Sequence, residues 1–535
     1  MVSRDDRTSE SEVYRNFYFT GTPDGSGAVD NKIGADIDRL RSYFFSPVDP
    51  RFRIEFDRDK PAHVRAQAMA AGNWLSREFQ FRSVDLCYAE ALKWALIESC
   101  GHVKLLWNRG GFDPWFVAKN FFGVFQEGIA DLDRQDAFVH STFMTPSSFA
   151  RTIRGHPEEA AIMRRIEREA QQGMDQPSGL KQLLIGGTIP VNLTPPQTAQ
   201  AGGWVEWMKA PRPVLDPQTL ASLIEVNELW VIDNEREDYS TFQLVGDIVI
   251  DGALQRRNLS GVKGMHPFIK TCPNGLHDYY WGRSEVADMM MPQEALSQQV
   301  NGINRVMRMQ EDPPTSLQGI RGDAQKKRAA LMKPGGFIAE IDPQFKVENH
   351  APHLADQALP WLAELNQISD RASGFEAPIS RGHGEPGVRS GTHGETLVRM
   401  ASPRLRDRAL ISEREYSDVG QFGFELARVK VGERFELHYS ENGQSQATAF
   451  TLGQIPDDYR ITVDSHSASP AFSEDAYRRI MDLVRSKAIN DVDLIRLTHP
   501  PGEDTLVANA EERHKEQAQL LASHPELLKR QSAHR

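Results

Sequence analysis

This chain is poor in the features that mark several common function classes. Its 535 residues contain only three cysteines, Cys87, Cys100 and Cys272. They are too few and too scattered for a disulfide framework or a zinc cluster. Cys87 falls in the apolar pattern of a helix and reads as a small buried hydrophobe. No run approaches the roughly 18 apolar residues that a membrane span needs. The opening MVSRDDRTSESE lacks the apolar core of a signal peptide, so synthesis and assembly in a cytoplasm are expected. Positive charge is not in excess: 62 Lys and Arg stand against 74 Asp and Glu, a net charge of −12. A conventional DNA-binding domain has the opposite balance, because it gains affinity by neutralising phosphates. An acidic balance argues against tight retention of a polyanion and serves solubility.

Signatures of catalysis are also missing. There is no Gly-x-x-x-x-Gly-Lys-[Ser/Thr] loop; the nearest string, GVRSGT at 387–392, lacks the lysine that reaches a phosphate. No Gly-x-Ser-x-Gly elbow and no His-Glu-x-x-His helix occur. His383 and His393 each sit beside glycine, without a carboxylate or cysteine at ligand spacing, and read as parts of a flexible loop. The sequons at Asn192 and Asn258 carry little meaning in a cytoplasmic protein. No pair of carboxylates stands out from the solvated background. No catalytic residue, metal ligand or cofactor is assigned, and the chain is not expected to be an enzyme. The alternative is a large cytoplasmic enzyme whose active site is assembled from scattered residues.

A hydrophobic content of 39% with 25% charged residues is that of a folded protein. The most informative stretch is 280–314, YWGRSEVADMMMPQEALSQQVNGINRVMRMQEDPP. It reads as one long helix with two stripes. Met289, Leu296, Val300, Ile303 and Met307 share an apolar face. Glu294, Gln298, Asn301, Arg305 and Arg308 recur at helical spacing on a polar face. Pro292 interrupts the pattern, and the Asp-Pro-Pro at 312–314 ends it. Such a helix suits a ring, packing one side on its neighbours and turning the other to a wet lumen. An ordinary amphipathic helix on a globular domain has the same periodicity.

Other elements follow from the same patterns. Residues 1–33 are polar and expected to be a loosely ordered, flexible segment. Helices are expected around 33–45 and 61–79. Another is expected at 83–101, with Ser83 as cap and Asp85 in the first turn; its few polar positions mark it as core. Strand character appears at 103–107, within 115–124 and at 136–143. Between 225 and 271 the period becomes that of strands, in VNELWVID, STFQLV, DIVIDG and HPFIKT, with Gly246-Asp247 as a two-residue hairpin turn. A strand-like GGFIAEI within 326–341 is followed by a polar loop at 342–356 carrying Lys346, His350 and His353, and then by a helix over 359–372. From 391 to 431 a long Arg-rich helix is expected, kinked at Pro403 and Gly420. Its Arg399, Arg404, Arg406 and Arg408 alternate with Glu395, Asp407, Glu413 and Glu415, so ion pairs rather than nucleic acid are their expected use. Strands at 435–439, 447–452 and 459–464 precede a last helix, with Ser473 as its cap and Tyr477, Ile480, Met481 and Val484 on one face.

Four blocks, in order, resemble portal proteins of tailed bacteriophages. FGVFQEGIADLDRQDAFVHSTFMT at 122–145 is similar to their wing region, and 280–314 to the stem helix that leaves the clip. GVRSGTHGETLVRMASPRLRDRAL at 387–410 resembles their long wing helix, and 464–490 the passage from wing to crown. The resemblance implies an α+β subunit with an α/β wing, a helical stem, a β-rich clip and a helical crown, assembled as a ring that is usually twelvefold. It implies a wing over 34–224 and 314–466, a clip-like β-rich region at 225–280, a stem helix at 281–313 and a crown-like C-terminus at 467–535. By order alone, 342–356 corresponds to the tunnel loop that projects into the channel. The implied function is the conduit at the capsid vertex through which DNA is packaged and ejected. The implied partners are further copies of the chain, the terminase motor, a tail adaptor, the major capsid protein and scaffold, and duplex DNA in transit without sequence specificity; no membrane is involved. The expected location is the virion, after assembly in the host cytoplasm. The apolar stripe from Met289 to Met307 would be the oligomer seam, and Arg305, Arg308, Lys346, His350 and His353 are the candidates for facing DNA.

Overall fold

A computed structural model describes residues 4–24, 30–47, 50–154, 159–164, 223–245, 248–251, 258–311, 315–318, 346–349, 354–374, 403–440, 447–463, 480–486 and 489–498, with a few single positions besides. The fold is mixed helix and strand, as expected for an α+β chain. In order its principal elements are α1 (Arg4–Thr20), α2 (Lys32–Phe44), β1 (Phe52–Phe56), α3 (Ala62–Phe81), α4 (Val84–Glu98), β2 (Gly101–Asn108), β3 (Gly111–Ala118), β4 (Phe122–Val124), β5 (Ala137–Met144), α5 (Pro146–Thr152), β6 (Ile224–Asp233), β7 (Asp238–Val245), β8 (Ile248–Asp251) and β9 (Phe268–Thr271). They continue with α6 (Glu285–Glu311), β10 (Thr315–Gln318), β11 (Lys346–Asn349), α7 (Ala358–Ser373), α8 (Pro403–Lys430), β12 (Leu437–Ser440), β13 (Ala447–Phe450), β14 (Tyr459–Val463) and α9 (Asp491–Thr498).

The largest core gathers α1 to α4, the start of α6, and α8. Tyr416 of α8 is its aromatic hub, with ring centroids at 4.7 Å from Phe45, 4.9 Å from Tyr88 and 5.1 Å from Phe52. Aromatic pairs at such spacings add about 0.5–1.5 kcal/mol beyond their burial. Two glycines let α8 come this close. A Cβ on Gly420 would stand 2.4 Å from the Phe52 ring, and one on Gly423 2.6 Å from Phe79. Gly420 therefore serves a close approach. Pro403 is the first described residue of α8, and the helix expected before it lies outside the described residues.

The N-terminus departs from expectation. Residues read as flexible form α1, whose Tyr14, Phe17 and Tyr18 are buried against α2 and α4. Arg15 pairs with the buried Glu98 at 3.6 Å, and the Tyr18 hydroxyl donates to Asp38 at 2.9 Å. The apolar residues are confined to the second half of the helix, and the acidic, serine-rich first half masks its period. At α4 the core assignment holds, with eleven of its residues buried. Ser83, however, lies in the left-handed region (φ 57°) and makes no capping hydrogen bond. Cys87 is only half-buried, and burial, followed by the charge of Glu90, pushes its thiol up to about 12.

Two sheets adjoin this core, the first contributing Val103, Leu105, Phe112 and Ile269 to it. One has the order β3-β2-β9, all antiparallel, with Gly101 opposite Thr271. The other runs β4-β5-β6-β7-β8, also antiparallel, with Phe138 opposite Trp230. The strands expected between 225 and 271 are all present, and Val245 pairs with Ile248 across the expected hairpin. They do not make a unit of their own. β6 continues a sheet begun by β4 and β5, while β9 joins the sheet of β2 and β3. Phe122, Phe138, Trp230, Phe268, Tyr280 and Trp281 fill the space between the sheets. A buried ion pair crosses the same space: Lys104 of β2 meets Glu228 of β6 at 2.9 Å, and the Trp230 indole donates to that carboxylate at 2.7 Å.

Candidate assembly surface on the long helix

The helix α6 is anchored at its start. The Ser284 hydroxyl caps it, accepting from the Val286 N–H at 3.0 Å and donating to the Ile97 carbonyl. Glu285, its first residue, forms an ion pair with Arg408 of α8, and both side chains are buried. The arginine-rich helix α8 thus spends Arg408 on a local ion pair, as its interleaved charges suggested. Arg399 lies outside the described residues. Val286, Met289 and Leu296 are almost wholly covered by the chain itself. Gln293 stitches the helix to the start of α2: its Nε2 donates to the Asp30 carbonyl at 2.6 Å, and its Oε1 accepts from the Lys32 N–H at 3.2 Å. Pro292 stands inside the helix without ending it.

The second half of α6 is different. α7 packs beside it in the opposite direction: Lys32, next to Gln293, pairs with Asp370 at 2.7 Å, whereas Gln299 donates to the Ala358 carbonyl at 3.5 Å. Val300, Ile303 and Val306 are half-buried, and Met307 is 51% exposed. Glu294, Gln298, Asn301, Arg305 and Arg308 are all exposed, so the polar stripe faces solvent throughout. At the start of α7, Leu359 is 60% and Trp361 50% exposed. Gln299, Ala358, Pro360, Trp361 and Glu364 border an open groove of about 530 Å³ there, with Arg371 paired to Glu364 at 3.1 Å.

The expected seam is therefore corrected in part. Met289 and Leu296 are buried in their own chain and are not available to a neighbour. Val300, Ile303 and Met307 remain, joined by Leu359 and Trp361 of α7. The sequence gives little warning of these two: ALPWLAEL looks like any amphipathic helix start, and only the packing of α7 on α6 reveals which residues stay uncovered. Lys346 lies in β11, paired with Gln318 of the strand that follows α6, so the expected loop at 342–356 contains a short strand. His350 and His353 lie outside the described residues, as do His383, His393, Ser473 and Tyr477.

A set of buried ionisable groups lies where the two sheets and α8 meet. The His102 Nε2 meets the Tyr280 hydroxyl at 2.7 Å, and the ring stacks 4.0 Å from Phe122. Burial first, and then the charge of Lys270, holds the His102 imidazole well below its usual pKa. His140, beside Lys104 at 3.4 Å, is lowered for the same two kinds of reason. The Glu415 carboxyl accepts from the Cys272 N–H at 2.7 Å, and burial raises it well above the usual range. These groups are committed to holding strands and α8 together. Among the described residues, no group of three or more His, Cys, Asp or Glu side chains has the arrangement of a metal site, and no helix is long and apolar enough to cross a membrane. No family model matches the chain, and no curated protein matches it either.

Proposed function

We propose that this chain is the subunit of a bacteriophage portal, a ring at the capsid vertex through which DNA is packaged and ejected. The observation that carries the reading is the asymmetry of α6: a half rooted in the subunit core, and a half that projects with a polar stripe on one side and an incompletely covered apolar edge on another. An exposed helical end of this length draws little stability from propensity alone and needs packing from elsewhere. A second copy supplies it, covering Met307, Leu359 and Trp361 and leaving the stripe to the lumen. The four family-like blocks in order support the same reading.

In that reading α6 and α7 form the stem and the core around α8 belongs to the wing. The β7–β8 edge of the five-stranded sheet belongs to the clip, where the terminase motor and later a tail adaptor dock. The capsid protein and scaffold meet the outside of the ring. Repeated around the ring, Arg305 and Arg308 become belts of positive charge. A few such belts centre the duplex, whereas many would bind phosphate tightly and hinder sliding. The subunit itself turns over no nucleotide; the motor supplies the work.

Sedimentation and negative-stain imaging of the purified protein test this. A large closed ring is expected, reduced to smaller species by Trp361→Asp or Met307→Asp. It should bind duplex DNA weakly, without sequence preference, in a manner lost as salt rises and weakened by Arg305→Ala. A monodisperse monomer at micromolar concentration would refute the proposal.

A further inference from the structure

Cys100 and Cys272 are far apart in the chain, yet the antiparallel pairing of β2 with β9 brings them face to face. Gly101 pairs with Thr271, His102 with Lys270 and Val103 with Ile269, so the next positions outward are Cys100 and Cys272. Directly opposed residues of an antiparallel pair have Cα atoms about 4.5–5.5 Å apart, inside the window of about 4.4–6.8 Å that a disulfide requires. Both side chains are buried. Their remaining surroundings are close: Cys272 Sγ lies 3.8 Å from the Trp281 carbonyl, and Cys100 Sγ 3.9 Å from His102 Nε2. Gly282 has φ +66°, and a Cβ there would stand 2.3 Å from the Cys272 sulfur, so this position favours glycine and leaves the sulfur its room.

We propose that Cys100 and Cys272 are a paired oxidation site that closes into a disulfide, fastening the end of β9 to the junction of α4 and β2. With a peroxide as oxidant the step balances. The Cys100 thiolate attacks one peroxide oxygen, the O–O bond breaks, and a sulfenic acid and water result once the leaving oxygen is protonated. The Cys272 sulfur then attacks the sulfenic sulfur, forming the S–S bond and releasing a second water. Two thiols are oxidised and one peroxide is reduced. Cys100 is the first nucleophile: burial alone would raise its thiol, but the neighbouring Cys272 thiol and the ammonium groups of Lys270 and Lys119 outweigh it and lower its pKa. Cys272 is raised, first by the Cys100 thiol beside it and then by burial.

The bond matters because of where it falls. The segment from Cys272 to Ser284 leads directly into α6, and it is held by the Glu415 bond to the Cys272 N–H, the Glu127 carbonyl on the Tyr280 N–H, and Ser284 on α4. A disulfide would tie the root of α6 to α4 covalently. The occasion for oxidation, exit of a particle from a reducing cytoplasm, rests on the portal reading; the chemistry of the pair does not.

Purified full-length protein is exposed to hydrogen peroxide, the remaining thiols are alkylated after unfolding, and the digest is read by mass spectrometry. A peptide linking Cys100 to Cys272 is expected, with Cys87 alkylated and unlinked. The oxidised protein should melt roughly 5 °C higher, and a reductant should reverse the shift. C100S and C272S should each abolish both changes; because either variant can perturb the core, the wild-type linkage decides the question. Separate sulfinic acids at the two positions, both thiols still alkylatable after prolonged exposure, or a link through Cys87 would each overturn the proposal. Failure to form rings would count against the portal reading and leave the linkage result untouched.

Discussion

The two halves of α6 carry one continuous apolar stripe and meet opposite fates. The first buries Val286, Met289 and Leu296, is capped by Ser284, and is tied to α8 through Glu285 and to α2 through Gln293. The second keeps Val300 and Ile303 only half-buried and leaves Met307, Arg305 and Arg308 in water. One half is specified by its own chain; the other is specified only if something outside the chain covers it. A stripe of apolar residues at helical spacing thus says which residues share a face. It does not say whether that face meets the same molecule or another.

The comparison breaks most visibly at the root. Glu285→Ala would remove the carboxylate paired with the buried Arg408, and Leu296→Asp would bury an unpaired carboxylate. Each should cost about 3–5 kcal/mol and appear as a lowered denaturant midpoint of the subunit, whether or not rings form. Met307→Asp, on the projecting half, should stay within about 0.5 kcal/mol of wild type in the same measurement while disrupting assembly. If Leu296→Asp dissociated rings into stable, folded subunits, the burial of Leu296 would not govern folding, and the division of the helix would be misplaced.

A second difference concerns protons. The interior beside the root holds neutral imidazoles, whereas the titratable residues of the projecting half are exposed. His102 and His140 have folded pKa values below the unfolded value near 6.5, chiefly through burial and then through neighbouring lysines. The unfolded chain therefore binds more protons below that pH. Their contribution is complete above about pH 6.5 and is lost as pH falls toward the folded values, at about 1.4 kcal/mol per pH unit for each histidine. Glu415, raised by burial, works in the opposite sense: it holds its proton in the folded state and gains relative stability as pH falls from its folded value toward the carboxylate range. A difference between variants separates the two. Wild type should lose stability more steeply than His140→Gln in urea titrations between pH 6.5 and 5. Equal slopes would mean that His140 takes up its proton inside the fold, beside Glu228.

Much of the framework was legible because local pattern and tertiary outcome agree. The strands around VNELWVID and STFQLV, the end of α7 at Gly374 and the core character of α4 all follow from periodicity and turn chemistry. Three things were hidden. α1 is polar over its first half, so its burial depends on α2 and α4 being present. Strand partnership is non-local: nothing in 225–271 reveals that β6 pairs with 137–144 while β9 leaves for β2. The meeting of Cys100 and Cys272 depends on that second pairing, which is why scattered cysteines gave no hint of it. At the long helix, the polar stripe is exposed in the single chain, but the apolar stripe is divided between a buried and a half-covered part in a way that periodicity does not encode.

The smallest expected effect gives the sharpest test of the projecting half. Gly302 lies in α6 between Asn301 and Ile303, and a Cβ there would meet nothing within 4 Å. In an exposed helix interior, glycine is less favourable than alanine by roughly 0.8–1 kcal/mol, since it loses more backbone freedom on ordering. Gly302→Ala should therefore slow amide exchange in the projecting half about fivefold. The global unfolding midpoint should hardly move if that half opens independently of the core. A full rise in the midpoint would show that the two halves unfold as one, contradicting the division drawn here. In the ring proposed above, the same substitution would report on the neighbour. A methyl directed to the lumen leaves assembly unchanged, whereas weakened rings would place Gly302 at a close helix contact, and the stripe from Glu294 to Arg308 would then face the next subunit rather than DNA.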